Sequence, residues 1–396
     1  MKGRRSVLIA GAGIGGLAAA LTLTQRGFKC QIVERASALL EVGAGLQISP
    51  NASRILDGLG LGPALDAAGA RPDAVRIIDG RSGKAIASVP LGVQAEKRWG
   101  APYRVIHRAD LQRILSEAAL AAGVAIRLGA EVVDFAQVPA GVLAHLRTAE
   151  GEETPTADLL IGADGVYSSL RGRLGAPPPR FSGQIAWRAI IDLPSRNETG
   201  LWLGPGAHLV SYSLNQRGQM NLVAITHGAD ARPGWSEPRQ AGELLQCFRG
   251  WAPAAQALIR AAPVWTVWPL YDQEPGALWG AGPTTLMGDA AHGMLPHLAQ
   301  GAAMAIEDAA ALADALAASP DRPELALRNY EDERQPRTHA AILQSRRNGQ
   351  IYRMSGLQAL ARDTALRLMG TERLTRRLDW LYGYGLPAVT QPTNGA

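Results

Sequence analysis

Lysine is nearly missing from this 396-residue chain: it occurs only at Lys2, Lys29, Lys84 and Lys97, so arginine carries almost all of the basic charge. The arginines are scattered, with short clusters at Arg346-Arg347 and Arg376-Arg377. No stripe of the kind that tracks a phosphate backbone is present, which argues against nucleic acid as a partner. A formal net charge of +5 spread this way suits attraction of small anions. Cysteine is scarcer still. Cys30 and Cys247 lie far apart and outside any C-x-x-C spacing, which argues against a disulfide framework or a thiolate metal site and fits a reducing compartment. No apolar run approaches the roughly eighteen residues of a membrane span. The short apolar stretch after "MKGRR" is broken by glycine and passes at once into a strand–helix pattern, so a mature cytoplasmic start is expected and no membrane partner.

What the chain does have is a glycine-rich opening. "RRSVLIAGAGIGGLAAALTLTQRGFKCQIVERA" reads as a short strand, then Gly11, Gly13 and Gly16 in G-x-G-x-x-G, a helix ending at Gly27, and a second strand closing on Glu34. The three glycines serve a tight turn, backbone approach to a pyrophosphate and helix–strand packing. The pyrophosphate sits at the helix N-terminus, where free N–H groups and the dipole favour anions. Glu34 stands where an acid accepts hydrogen bonds from ribose hydroxyls. For its neighbour Arg35, adenine stacking and solvent exposure are both open. No second G-x-G-x-x-G follows a later strand: Gly280 and Gly282 run into Pro283 and Thr284. At this length two domains are expected.

Three further stretches each carry a strand into a helix: "VIHRADLQRIL" (105–115), "DLLIGADGVYSSLRGRLG" (158–175) and "TTLMGDAAHGMLPHLAQGAAMAIEDAAALADAL" (284–316). With the N-terminal fingerprint they resemble the single-component (class A) FAD-dependent aromatic hydroxylases, a family that includes salicylate hydroxylase, 3-hydroxybenzoate 6-hydroxylase and 6-hydroxynicotinate 3-monooxygenase. The resemblance runs to about Arg337. It implies an α/β fold of two domains: a Rossmann-like FAD-binding domain of the para-hydroxybenzoate hydroxylase type, an inserted β-sheet substrate domain, and C-terminal helices. It implies FAD held by Gly11, Gly13, Gly16 and Glu34, with Arg108 near the pyrophosphate and flavin and Asp289 on the ribitol. Asp164 would serve both FAD and transient NAD(P)H, which docks on a surface groove. Gly301 and Ala302 would open a helix whose uncharged first turn leaves its positive pole to the electron-rich end of reduced flavin. Ala299 stands where many relatives carry glycine. Helix capping by Asp110 or Asp164 is the plainer alternative for those acids.

The FAD-binding domain is expected to be discontinuous, from residues 1–72, 102–175 and 268–336. Residues 73–101 and 176–267 have strand character, as in "QIAWRAIIDL", "GAHLVSYSL" and "QMNLVAITHG", and would form a sheet over the flavin. Residues 337–396 read as a helical segment, with Thr390–Ala396 frayed. A small-molecule pocket belongs at the junction.

The implied activity is NAD(P)H-dependent hydroxylation by O2 of a small electron-rich aromatic of hydroxybenzoate, salicylate or hydroxypyridine-carboxylate type. In "HLVSY", His208, Val210 and Tyr212 alternate onto one strand face. A proton relay for a phenolic substrate is one reading of that pair; a sheet-edge histidine and a core tyrosine is the other. His297 is a third catalytic candidate, whereas His292 reads as structural. Gln47 and Arg188 are candidate substrate contacts. Arg188 either holds a carboxylate or makes an outward salt bridge. Competing functions are an FAD-dependent epoxidase or N-hydroxylase on the same scaffold, or a non-catalytic flavin redox sensor. The "VWTVWP" stretch departs from the flavin-halogenase tryptophan motif in spacing. A monomer or homodimer is expected.

Overall fold

The strand Ser6–Ala10 pairs in parallel with Lys29–Glu34 on one side and Leu159–Gly162 on the other, which sets the glycine loop at the carboxyl edge of a six-stranded sheet. The structure, a computed structural model, describes residues 5–39, 45–193, 197–215, 218–228 and 236–385; the expected frayed end, Thr390–Ala396, lies outside them. The sheet runs Gly280–Ala281, Thr284–Leu286, Leu159–Gly162, Ser6–Ala10, Lys29–Glu34, Ala125–Leu128, and only its first pair is antiparallel. The chain leaves the strand Ser6–Ala10 toward one neighbour and returns later on its other side. The crevice beyond that strand is therefore a topological switch point, where open α/β sheets bind ligands.

The helix Ile14–Gln25 is apolar all round because it is buried all round. It packs on the helix Gly301–Ala318, and the two are tied by the Thr22 hydroxyl, which donates to the Ala309 carbonyl at 2.8 Å. Alanines along both helices permit the close approach.

A second sheet has eight strands in the order Glu237–Gln240, Val264–Asp272, Arg180–Asp192, Gln219–His227, Ala207–Ser213, Glu198–Gly204, Ala74–Asp79, Ala85–Pro90. Residue alternation gives it two different faces. On one, Trp187, Trp202, Leu209, Leu222 and Trp265 form a core with the helices Ala241–Cys247 and Pro253–Ala261. The other face looks into a cavity of about 910 Å³ shared with the first sheet's carboxyl edge. The junction expected at 267/268 falls inside the strand Val264–Asp272, which stays paired with Arg180–Asp192 as far as Asp272.

The helical tail differs from expectation. A single helix, Pro323–Tyr352, runs through the anticipated start at 337 with Pro336 in its interior. Proline removes one N–H donor and crowds the carbonyl four residues back. Here Arg334 and Arg337, on either side of it, are anchored to acids of the helix Gly301–Ala318, which holds the backbone helical through that point. The helices Gly356–Arg376, interrupted at Gly370 (φ 66°), and Asp379–Tyr382 follow.

Candidate active site

The first glycine loop is built for close approach. Gly11 holds φ 106°, and a Cβ there would sit 2.4 Å from the Ala163 carbonyl oxygen; a Cβ on Gly16 would sit 2.0 Å from the Gly11 carbonyl oxygen. Around Gly13, by contrast, a Cβ would meet nothing within 4 Å, and Gly13 lines the cavity. The helix it begins has neither a side-chain cap nor an acid in its first turn. Its leading N–H groups therefore face the cavity as an uncompensated anion site. Glu34 ends its strand beneath this loop, accepting from the Ala12 N–H at 2.7 Å and the Ala36 N–H at 2.9 Å. Arg35 is exposed and does not line the cavity.

Arg108 and Asp289 line the cavity from the first sheet's side. Asp289 follows Gly288 (φ 57°) at the start of the short helix Asp289–His292, with its side chain accessible. Gly301 and Ala302 stand beside it, at the start of a helix that again has no side-chain cap and no acid of its own in its first turn; a Cβ on Gly301 would lie 3.7 Å from Asp289 Oδ1. Ala299, just before it, is the one non-glycine residue at positive φ (53°) among the described residues. Asp164 accepts from the Ser169 N–H at 3.0 Å through one carboxylate oxygen, beside the Ser168 cap of that helix, while its other oxygen is buried without a partner. Burial raises its pKa. The open backbone at Gly13 and two uncapped helix poles fit an elongated, pyrophosphate-bearing, ring-ended cofactor such as FAD.

Below these poles lies a buried ionic clamp. Glu307 and Asp308 are fully buried. Arg334 bonds both, at 2.8 and 2.7 Å, and Arg337 bonds Glu307 at 2.7 Å. Asn51 donates to Glu307 at 2.6 Å. Asp308 also accepts from the Gly288 N–H at 2.9 Å and meets His292 Nε2 at 2.5 Å. His292 thus bonds a carboxylate inside the clamp, away from the cavity lining. The Asp308 pKa is lowered to about 2; His292 and Arg334 overcome the opposing effect of burial.

The substrate side belongs to the second sheet. Cross-strand register aligns His208 with Ile225 and Val210 with Val223, and places Arg188 beside Val223. All five residues and Tyr212 line the cavity. His208 is buried, with Nδ1 unpartnered. Its ring lies 5.1 Å from that of His297 and 5.3 Å from that of Tyr352, centroid to centroid. Neither ring nitrogen of His297 has a partner. Burial, and then Arg353, holds its pKa down to about 3; burial and His297 push that of His208 well below normal. Both imidazoles are neutral at pH 7. Tyr212, whose pKa is raised by burial, packs against Gly45 instead of joining this ring cluster. Gln47 accepts from the Tyr103 hydroxyl.

Arg188 makes no ion pair among the described residues. Its guanidinium carbon lies 5.3 Å from the Trp268 ring centroid, and its Nε is buried without a partner. Burial, followed by nearby Arg108, lowers its pKa, yet a guanidinium stays charged. Of the two readings for this residue, the inward one matches its position on the cavity wall.

Sequence reasoning missed the cavity's third wall. Tyr352, Asn348, Ile351, Leu381 and Tyr382, from the tail, all line it. The available signal was Gly349, a glycine inside an otherwise strong helical stretch: its missing side chain leaves room for the His297 ring. Arg171, which no sequence pattern singles out, is buried and donates to the carbonyls of Ala290 and Ala291, bracing the turn that carries Asp289.

A family model described as an FAD binding domain matches residues 4–345. The 3-amino-4-hydroxybenzoate 2-monooxygenase PtmB3 of Streptomyces platensis is 38% identical over 389 residues, covering 96% of each chain. The 3-hydroxybenzoate 6-hydroxylase 1 of Aquipseudomonas alcaligenes is 38% identical over 387 residues, covering 96% of this chain and 97% of that one. Among solved structures, HpxO of Klebsiella pneumoniae complexed with FAD and uric acid matches with a TM-score of 0.86 at 26% identity, over 97% of this chain and 98% of that one.

Proposed function

The chain belongs to the FAD binding domain family and is an FAD-dependent aromatic-ring monooxygenase, and from that premise we propose that its substrate is a small hydroxylated aromatic carboxylate. The observation that carries this reading is Arg188, an enclosed cation with no ion-pair partner among the described residues, on the same wall as the neutral His208 and in the same cavity as the neutral His297. A buried charge without a partner is costly. A substrate carboxylate satisfies it with charge-assisted hydrogen bonds, as relatives named for hydroxybenzoates suggest.

FAD, held by the Gly11–Gly16 loop, Glu34, Arg108, Asp289 and the Gly301–Ala302 pole, supplies the redox chemistry when bound, taking electrons from NAD(P)H and activating O2. Every other task falls to the chain. His208 and His297, neutral and unpartnered, accept the substrate's phenolic proton as a hydrogen bond, and a developing phenolate raises their proton affinity. The more electron-rich the ring becomes, the better it accepts an oxygen atom. Tyr212 and Tyr352 stay protonated because burial raises their pKa, that of Tyr352 to about 12, so they act as donors. Ile77, Leu201, Leu203, Val223 and Ile225 pave the chamber and keep water from it. Asp164 and Gln47 complete the proposed set, at the dinucleotide and substrate sides. A cytoplasmic monomer or homodimer accompanies this reading. No helix among the described residues is long and apolar enough to cross a membrane.

The test is NAD(P)H oxidation by the yellow holoprotein with hydroxybenzoates, hydroxypyridine carboxylates and neutral phenols, with product analysis alongside. Hydroxylated product from an aromatic acid, formed faster than from its neutral analogue, is expected. Equal or better turnover of neutral phenols refutes the carboxylate assignment.

A further inference from the structure

We propose that the gap between the helices Pro323–Tyr352 and Gly356–Arg376 is the substrate entrance, and that Arg347, Arg376 and Arg377 form a collar there that captures the aromatic carboxylate and hands it inward to Arg188. The inference rests on the carboxylate reading of Arg188. The cavity extends to this gap, where Gln344, Asn348, Ile351, Leu366 and Leu374 line it together with the three arginines. Its described lining holds five arginines (108, 188, 347, 376 and 377) against a single carboxylate, Asp289, at the far end.

Of the two arginine pairs conspicuous in the sequence, three members line this part of the cavity and one, Arg346, does not. Arg346 is neutralised by Asp272 and Glu274, at 2.5 and 3.0 Å. Arg347, turned about 100° round the helix, has no partner among the described residues and is exposed. Arg377 likewise has none. Arg376 has only Glu372, at 3.2 Å, in an exposed pair of the kind worth little. Uncompensated charge at the mouth of a low-dielectric chamber focuses the field and raises the arrival rate of an oppositely charged ligand by roughly 10- to 1,000-fold. From an exposed collar to an enclosed Arg188, the anion moves toward stronger, less screened pairing.

The test uses holoenzyme carrying Arg347→Gln, Arg376→Gln and Arg377→Gln together, rapidly mixed with 3-hydroxybenzoate or with neutral 3-hydroxybenzyl alcohol while flavin absorbance reports binding. At 10 mM salt the Debye length is about 30 Å, and at 1 M about 3 Å. The association rate of the carboxylate is expected to fall about 10-fold at 10 mM and to match wild type at 1 M, with the alcohol changed less than about twofold and kcat unaltered. A fall shared by both probes, or no fall, overturns the collar. A change confined to the KM for NAD(P)H also overturns it and assigns these arginines to dinucleotide phosphates. Wild-type flavin absorbance that answers neither probe refutes the substrate reading itself, and the collar with it.

Discussion

Alanine in place of Gly349 would set a methyl carbon 2.5 Å from His297 Cδ2 and 2.6 Å from its Nε2. Two effects on stability oppose each other. Alanine gains about 1 kcal/mol over glycine in a helix interior, while overpacking a filled site costs about 1–3 kcal/mol. The ring has somewhere to go, since His297 lines the cavity and neither of its nitrogens is tethered. Restoring ordinary carbon contact needs a shift of about 1 Å, so the net loss is about 0–2 kcal/mol and the melting temperature falls by a few degrees at most. Activity suffers more, because misplacing a positioned group by that distance costs roughly 100-fold. The expected variant keeps its FAD and nearly all of its melting temperature but loses about two orders of magnitude in kcat/KM for the aromatic acid. Flavin absorbance, a thermal melt and product-coupled NAD(P)H oxidation read the three quantities. Wild-type kcat/KM with unchanged coupling refutes the role given to His297, and loss of FAD in proportion to activity shows that the helix, not the ring, was disturbed.

Replacing Arg188 with Met keeps an apolar stem against Trp268 and removes the cation; KM for an aromatic acid is expected to rise about 10- to 100-fold, the worth of a charge-assisted hydrogen bond, with a neutral phenol unaffected. Equal effects on both ligands return Arg188 to a packing role. Acid is expected to destabilise the fold through the same histidines. His297 takes a proton near 6.5 when unfolded but only near 3 when folded, so between those values the unfolded state holds more protons and stability falls as pH drops. From pH 6.5 to 5 the loss attributable to it is about 2 kcal/mol. Denaturant melts at pH 7 and 5 measure the slope, and His297→Gln must flatten it; an unchanged slope removes His297 as its source.

The strand–helix–strand opening, the Gly288-Asp289 loop and the alternation of His208, Val210 and Tyr212 are all local patterns, and each stands in the structure where its period placed it. What stayed hidden depends on contacts distant in sequence. Nothing in "HLVSY" announces that His208 meets His297 and Tyr352 instead of Tyr212, because those rings arrive on a loop and a helix from much later in the chain. The helix through the boundary expected at 336/337 was hidden for the same reason: the local rule for Pro336 is a helix break, and only the buried pairs on either side of it override that rule. Arg188 was ambiguous because the strand pattern shows which residues share a face, but not which face meets the cavity.

The uncharged first turn of Gly301–Ala318 is useful to an electron-rich ligand only if acids further along do not cancel the pole. Glu307 and Asp308 lie less than three turns from it and are wholly buried, where unscreened charge would act over a long range. Arg334 and Arg337 match them one for one within 2.8 Å, so the clamp is close to neutral and does not cancel the peptide dipoles at the helix start. The clamp also explains why acids are there at all. Through one carboxylate, Asp308 holds the Gly288 N–H, His292 and Arg334. The loop carrying Asp289 and the helix beginning at Gly301 are thereby fixed to each other without placing an acid in that helix's first turn. Placing acids where they brace the site, and pairing them where they cannot repel its ligand, resolves the contradiction of an acidic helix with an anion-binding end.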